Sequence, residues 1–149
     1  MKHQHKKAVI IFGGALLVLL LDQITKWVII NTLSLGESIK IIPPLYLTYV
    51  HNTGAGFGIL QGQSLLLIII ALVVIGYLLY SYKTLSKKMY VPVFLLLGGA
   101  VSHLLERIIR GYIVDFIQIG WWPKFNVADS AIVLGGIWLA YCFWKEEKK

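Results

Sequence analysis

Charged residues are scarce in this sequence. They make up 14% of its 149 residues, whereas an average soluble domain has about 25%, and 58% of the residues are hydrophobic. This shortage of charge excludes an ordinary soluble domain and indicates a chain surrounded by lipid. The length allows one domain, over residues 1–149, and no separate soluble module.

Cysteine is nearly absent as well. Cys142 is the only one and lies inside an apolar run, so the chain can form neither an intrachain disulfide nor a multi-cysteine metal site. The sequence has no G-x-S-x-G motif for a nucleophilic serine, and no histidines stand at ligand spacing for zinc. We therefore expect neither a serine hydrolase nor a zinc enzyme, with no metal and no other cofactor.

The net charge of +7 does not form a nucleic-acid-binding patch. Nine of the 14 Lys and Arg residues flank apolar runs, and these are Lys2, Lys6, Lys7, Lys83, Lys87, Lys88, Lys145, Lys148 and Lys149. Because lysines accumulate on the cytoplasmic side of membrane proteins, this pattern predicts that both termini are cytoplasmic. We expect no nucleic acid partner.

Apolar segments of membrane-spanning length occur at about 8–30, 65–82, 91–109 and 127–144. Crossing the hydrocarbon core takes about 20 residues. The first segment begins like a cleavable signal peptide, but Asp22 and further apolar residues follow it, which indicates a retained helix. The predicted fold class is an all-α integral membrane protein with four transmembrane helices.

The outer loop at 31–64 has a β-rich composition. Its segments 38–42 and 45–50 are rich in β-branched and aromatic residues, with Pro43 and Pro44 between them as breakers. We therefore predict a small β-rich extracytoplasmic subdomain between the first two helices. Glycine pairs in the first, third and fourth helices predict close helix packing.

Three aspartates far apart in the sequence are predicted to meet at the outer membrane interface. Asp22 lies about 21 Å along a helix that crosses a core of about 30 Å. Asp115 follows the outer end of the third helix, and Asp129 stands at the outer start of the fourth. His103, Glu106, Arg107 and Arg110 share one face of the third helix near the same depth.

Two neighbouring carboxylates can activate water without a metal, because one keeps a proton while the other acts as a base. Plainer interpretations stay open for each residue. Asp22 could form a structural ion pair with Lys26, Asp129 could be a helix-start charge, and Asp115 could be an ordinary loop aspartate. Intramembrane charges can also form the proton relay of a small transporter, although relay groups should be spread through the bilayer depth.

Five sequence blocks, in order, resemble the signature blocks of the lipoprotein signal peptidase (type II signal peptidase) family. They are Leu21-Asp22-Gln23-Ile24-Thr25-Lys26, Asn52-Thr53-Gly54-Ala55, Gly98-Gly99-Ala100, Val114-Asp115-Phe116-Ile117 and Phe125-Asn126-Val127-Ala128-Asp129-Ser130. The resemblance implies an aspartic endopeptidase of the bacterial cytoplasmic membrane. This enzyme removes the signal peptide from prolipoproteins just before a cysteine that carries a diacylglyceryl group.

By the same resemblance, Asp115 and Asp129 are the catalytic pair. The surrounding polar and substrate-binding residues would be Asp22, Lys26, Asn52, Gly54, His103, Glu106, Arg107 and Asn126. The expected partners are a lipidated prolipoprotein and membrane phospholipid, and the enzyme is expected to be a monomer with its site at the extracytoplasmic interface.

One block departs from the family pattern Gly-Asn-x-x-Asp-Arg. Here it is Ser102-His103-Leu104-Leu105-Glu106-Arg107, so three of its four defined positions have changed. The departure motivates an alternative interpretation, a lipoprotein-binding homologue with impaired catalysis. It also predicts that His103, if it lies near the aspartates, adds an ionisation between about pH 5 and 8.

Overall fold

The computed structural model describes residues 2–147 and consists mostly of helices. The helices are α1 (Lys2–Thr32), α2 (Ser64–Ser81), α3 (Tyr90–Arg110) and α4 (Val127–Glu147). Within the described residues, these four are long and apolar enough to cross a membrane. In a bilayer each backbone N–H and C=O must be satisfied within the protein, which favours such uninterrupted helices. The predicted fold class is confirmed, with α1 longer at both ends than predicted.

Helix α3 lies at the centre of the bundle and packs against α1, α2 and α4. Its buried residues include Val93, Leu97 and Ala100. By contrast, α2 exposes large apolar side chains such as Leu65 and Val73. Because such surface is unfavourable in water, α2 faces lipid along most of its length.

At least one glycine of each predicted pair lies at a close helix contact, whereas Gly13 and Gly136 have nothing within 4 Å of an added Cβ. A Cβ added to Gly98 of α3 would lie 2.6 Å from the Ala15 carbonyl oxygen of α1. A Cβ added to Gly135 of α4 would lie 2.8 Å from the Pro92 carbonyl oxygen of α3. Side chains at these two positions would therefore push the helices apart.

A three-stranded antiparallel sheet lies at one end of the bundle, with the order β1 (Ser38–Ile42), β2 (Leu45–Asn52), β3 (Ile113–Ile119). The first two strands confirm the prediction for the outer loop. The third strand was not predicted, and Asp115, which could have been an ordinary loop aspartate, lies within it. It follows Gly111, whose left-handed backbone conformation, with a φ of 79°, terminates α3. Within the strand, Asp115 pairs with Val50 of β2.

The lysines that predict the orientation lie at the start of α1, in the α2–α3 connection and at the end of α4. These segments are at the end of the bundle opposite the sheet. Lys148 and Lys149, which contributed to that prediction, lie outside the described residues.

Candidate active site

Residues from four segments meet at the sheet end of the bundle. The last third of α1, the C-terminal half of α3, strand β3 and the first turn of α4 each contribute a charged side chain. These segments meet because α3 packs between α1 and α4, and because β3 follows α3 directly in the chain.

Asp115 is buried in the middle of β3 and is held by two amides. Its Oδ2 accepts a hydrogen bond from Asn52 Nδ2 at 2.8 Å, and its Oδ1 accepts one from Asn126 Nδ2 at 2.7 Å. Burial, followed by the negative charge of Asp129, raises the pKa of Asp115 to about 7, although both amides act in the opposite direction. Near neutral pH this carboxyl group is therefore divided between its neutral and charged forms.

Asp129 is held by Asn126 through a reciprocal pair of hydrogen bonds. The Asn126 N–H donates to Asp129 Oδ2 at 3.0 Å, and the Asp129 N–H donates to Asn126 Oδ1 at 2.8 Å. This is the capping-box arrangement at a helix start, here with Asn and Asp in place of the usual Ser or Thr and Glu. Since Asn126 also holds Asp115, one buried amide connects the two aspartates.

His103 reaches the same pair from α3. Its Nε2 lies 3.5 Å from Asp129 Oδ1 and 3.4 Å from Asn126 Oδ1. The histidine that replaces the family's asparagine thus contacts Asp129 directly. The sequence alone did not decide whether His103 lies near the aspartates.

A buried network centred on Lys26 lies behind the aspartates. Lys26 contacts Asp22 Oδ2 at 2.7 Å and also donates to Glu106 Oε2, and all three side chains are almost inaccessible to solvent. Asp22 Oδ1 accepts the Ala128 N–H at 2.8 Å, and Glu106 Oε1 accepts the Val114 N–H at 3.4 Å. The network therefore holds the residue that precedes each of Asp129 and Asp115.

Arg107 fixes the segment that follows β2. It donates to the carbonyl oxygens of Thr53 and Gly54, while the Gly54 N–H donates to Asn52 Oδ1 at 2.9 Å. A Cβ at Gly54 would lie 2.6 Å from the Ile59 carbonyl oxygen, so this close approach requires glycine. The Asn52 side chain is thereby oriented toward Asp115.

Two cavities border Asp129. One, of about 420 Å³, lies between the β3–α4 connection and α4 and is lined by Asp115, Asp129, Phe125 and Val133 among others. The second, of about 360 Å³, is lined mainly by apolar residues of α2, α3 and α4, together with His103 and Arg107. Asp129 and Asn52 border both cavities.

The predicted site residues therefore come together but fall into two groups. Those that border the cavities are Asn52, Gly54, His103, Arg107, Asp115 and Asp129. Asp22, Lys26, Glu106 and Asn126 are buried behind them. Asp22 and Lys26 do form the ion pair that was an alternative interpretation, and Asp129 does start a helix, but both aspartates also belong to this cluster.

Ser102 has a part in the site that sequence analysis missed. It is fully buried, donates to Asp22 Oδ2 at 2.6 Å and accepts from Gln23 Nε2 at 2.8 Å. The family has glycine at this position, and a polar residue one helical turn before Glu106 was the available signal. Among the described residues, no three His, Cys, Asp or Glu side chains are grouped as metal ligands; the absence of a cofactor stays a prediction.

Comparison with known proteins identifies the family. The family model described as "Signal peptidase (SPase) II" matches residues 14–145. The chain belongs to the signal peptidase II family. The resemblance noted from the five sequence blocks is confirmed, and so is the prediction that the protein is a peptidase.

Relatives of the signal peptidase II family match over nearly the whole chain. The lipoprotein signal peptidase of Halothermothrix orenii is 45% identical, over 89% of this chain and 94% of that protein. The lipoprotein signal peptidase of Thermodesulfovibrio yellowstonii is 43% identical over 84% of this chain and 88% of that protein. A solved bacterial membrane enzyme superimposes with a TM-score of 0.86 at 33% identity, covering 91% of this chain and 88% of that one. This signal peptidase II homologue is accordingly a multi-pass membrane protein.

Proposed function

We propose that this protein is an aspartic endopeptidase that removes the signal peptide from diacylglyceryl-modified prolipoproteins, with Asp115 and Asp129 as its catalytic pair. The names of the curated relatives support a lipoprotein substrate. The observation that carries the proposal is the connection of both carboxylates through Asn126, beside cavities that they border.

The pair can divide the two tasks of general acid and general base. The ionised carboxylate takes a proton from a water molecule, whose oxygen attacks the carbonyl carbon of the residue before the lipidated cysteine. The protonated carboxyl donates its proton to the carbonyl oxygen, and collapse of the tetrahedral intermediate transfers a proton to the cysteine nitrogen as the C–N bond breaks. The raised pKa of Asp115 makes a shared proton available near neutral pH.

The cavities suit a substrate with two apolar arms. In the proposed substrate the scissile bond stands between an apolar signal peptide and a diacylglyceryl group. Asp129 lies where the two largely apolar cavities adjoin, so each arm could be buried on its own side of the reacting bond. Burial of an acyl chain contributes about 0.8 kcal/mol per methylene, which favours the lipidated precursor.

The same proposal includes location and assembly. We place the protein in the bacterial cytoplasmic membrane with both termini in the cytoplasm, because the lysine-rich connections lie at the end opposite the sheet. The site then lies at the extracytoplasmic interface, where acyl chains meet headgroups, and the protein acts as a monomer.

Cleavage by Asp129→Asn protein tests the proposal most directly. The amide oxygen of the introduced asparagine can still accept the Asn126 N–H, so the helix start is preserved, whereas a base is lost. Asp115→Asn is less clean, because both of its oxygens accept from amide donors and its new NH₂ group would face one of them. Purified variants are incubated with a diacylglyceryl-modified precursor, and release of the signal peptide is followed by gel mobility.

We expect at least about 10³-fold slower cleavage for Asp129→Asn, with Glu37→Gln, which removes an exposed carboxylate, as the matched control. Near-normal cleavage by Asp129→Asn would refute the catalytic pair. Wild-type protein that binds the precursor without cleaving it would instead favour the lipoprotein-binding homologue.

A further inference from the structure

A cavity with three lysines among its lining residues and a mainly apolar wall lies at the end of the bundle opposite the aspartates. It has a volume of about 540 Å³, opens between the start of α1 and the start of α3, and is lined by Lys6, Lys7, Ile10, Lys87, Tyr90 and Val91. The proposed peptidase mechanism uses none of these residues, so this cavity needs an explanation of its own.

Lys7 is the unusual member of this group, because it is only 5% exposed. Its Nζ donates to the carbonyl oxygens of Lys83 at 2.7 Å and Leu85 at 2.9 Å, and it lies 5.5 Å from the centre of the Tyr90 ring. These partners satisfy hydrogen bonds but carry no net negative charge. A buried ammonium group is normally paired with an anion, so its charge favours an anionic ligand.

The surroundings add further positive potential. Lys6 and Lys87 line the same cavity and are exposed. The N-terminus of α3 begins beside it, where the helix dipole also attracts anions. Glu146 is an acidic residue at this end of the bundle, but its Oε1 is paired with Lys88 Nζ at 2.9 Å. Neither Glu146 nor Lys88 lines the cavity.

We propose that this cavity binds the headgroup of an anionic phospholipid. The phosphate group would contact the ammonium groups of Lys6, Lys7 and Lys87, and one acyl chain would lie along Ile10 and Val91, of which Ile10 is 48% exposed. Basic pockets between transmembrane helices are known to bind anionic headgroups in this way. Free phosphate shares the ionic chemistry, but the apolar wall that continues the lysine group favours a lipid. This inference is independent of the proposed peptidase function.

Native mass spectrometry of the full chain released from detergent tests the proposal. The protein is titrated with phosphatidylglycerol, with phosphatidylcholine of the same acyl chains, and with phosphatidylglycerol in the presence of millimolar inorganic phosphate. The variant is Lys6→Gln/Lys87→Gln, which keeps the buried Lys7 and its loop contacts. The matched control is Lys40→Gln/Lys145→Gln, which removes the same charge outside the cavity.

We expect phosphatidylglycerol to bind at least tenfold more tightly than phosphatidylcholine. Each lysine near an anionic headgroup contributes roughly a factor of five in affinity, so the cavity variant should bind roughly 25-fold more weakly, and the control variant should bind normally. Equal binding of the two lipids, or equal losses in both double variants, would overturn the proposal. Displacement of the lipid by millimolar phosphate would overturn the assignment to a lipid.

Discussion

Asp22 and Glu106 perform matching tasks on two different segments. Asp22 accepts the Ala128 N–H immediately before Asp129, and Glu106 accepts the Val114 N–H immediately before Asp115. Lys26 contacts both carboxylates and so joins these two anchors across α1 and α3. The buried ionic cluster therefore sets the relative position of the two aspartates that we propose as the catalytic pair, although it does not border their cavities.

Replacing Lys26 with methionine should strongly destabilise the protein. Removal of this ammonium group leaves Asp22 and Glu106 buried without their common partner, and breaking a buried ion pair in this way costs about 3–5 kcal/mol. The free energy of unfolding in mixed micelles measures the loss. Lys40→Met, on the exposed strand β1, is the control and should change it little. Adding Glu106→Gln to Lys26→Met should recover part of the lost free energy of unfolding. If Lys26→Met is as stable as wild type, the Lys26 network has no structural role.

Stability should depend on the ionisation of Asp115. The folded state raises the pKa of Asp115 from 3.8 to about 7, so between these values the folded protein binds the proton more tightly than the unfolded chain does. The free energy of unfolding should therefore fall as the pH rises from about 4 to about 7, by at most about 1.4 kcal/mol per pH unit, and then level off.

Comparison of wild type with Asp115→Asn tests this contribution through the pH dependence of the free energy of unfolding, because the introduced NH₂ group also changes stability by itself. The variant is expected to be less stable at pH 5 but to show a flatter pH dependence, which is measured by unfolding at pH 5, 6, 7 and 8. Parallel curves for the two proteins would show that Asp115 does not titrate in this range.

His103→Asn should alter the dependence of cleavage on pH. A histidine can gain a proton where asparagine cannot, and protonation of His103 would change the charge 3.5 Å from Asp129 Oδ1. The measurement is the cleavage rate between pH 5 and 8 for wild type and variant, with His5→Asn, at the far end of α1, as the control. Superimposable profiles would mean that His103 is a neutral packing residue.

Gly98→Ala should weaken the contact between α1 and α3. The new methyl group would lie 2.6 Å from the Ala15 carbonyl oxygen and 2.7 Å from Val18 Cβ, so the helices must separate, at a cost of about 1–3 kcal/mol. Gly13→Ala in α1 is the matched control, because nothing lies within 4 Å of its added Cβ and alanine favours a helix. Unfolding in mixed micelles should separate the two variants, and equal stability would argue against close packing at Gly98.

The third strand shows why the fold was only partly predictable. Residues 113–119 are a run of mainly β-branched and aromatic residues between Gly111 and Gly120, which is a strand signal. Its partner is β2, and Asp115 pairs with Val50, 65 positions earlier. This pairing makes Asp115 a buried strand residue, and not a loop residue, and its carboxyl group reaches Asn52. Such long-range pairing is not encoded in any local pattern.

The sequence by itself determined the class of protein and the end of the helices near which its three aspartates lie. The thickness of the bilayer imposes the length of each apolar segment, so the four helices, and the positions of Asp22, Asp115 and Asp129 near one end of them, followed from counting residues. Only the tertiary structure decided which side chains meet. The rotation of each helix about its axis depends on packing at contacts such as Gly98 with Ala15, and small rotations decide whether Lys26 faces Glu106 or lipid.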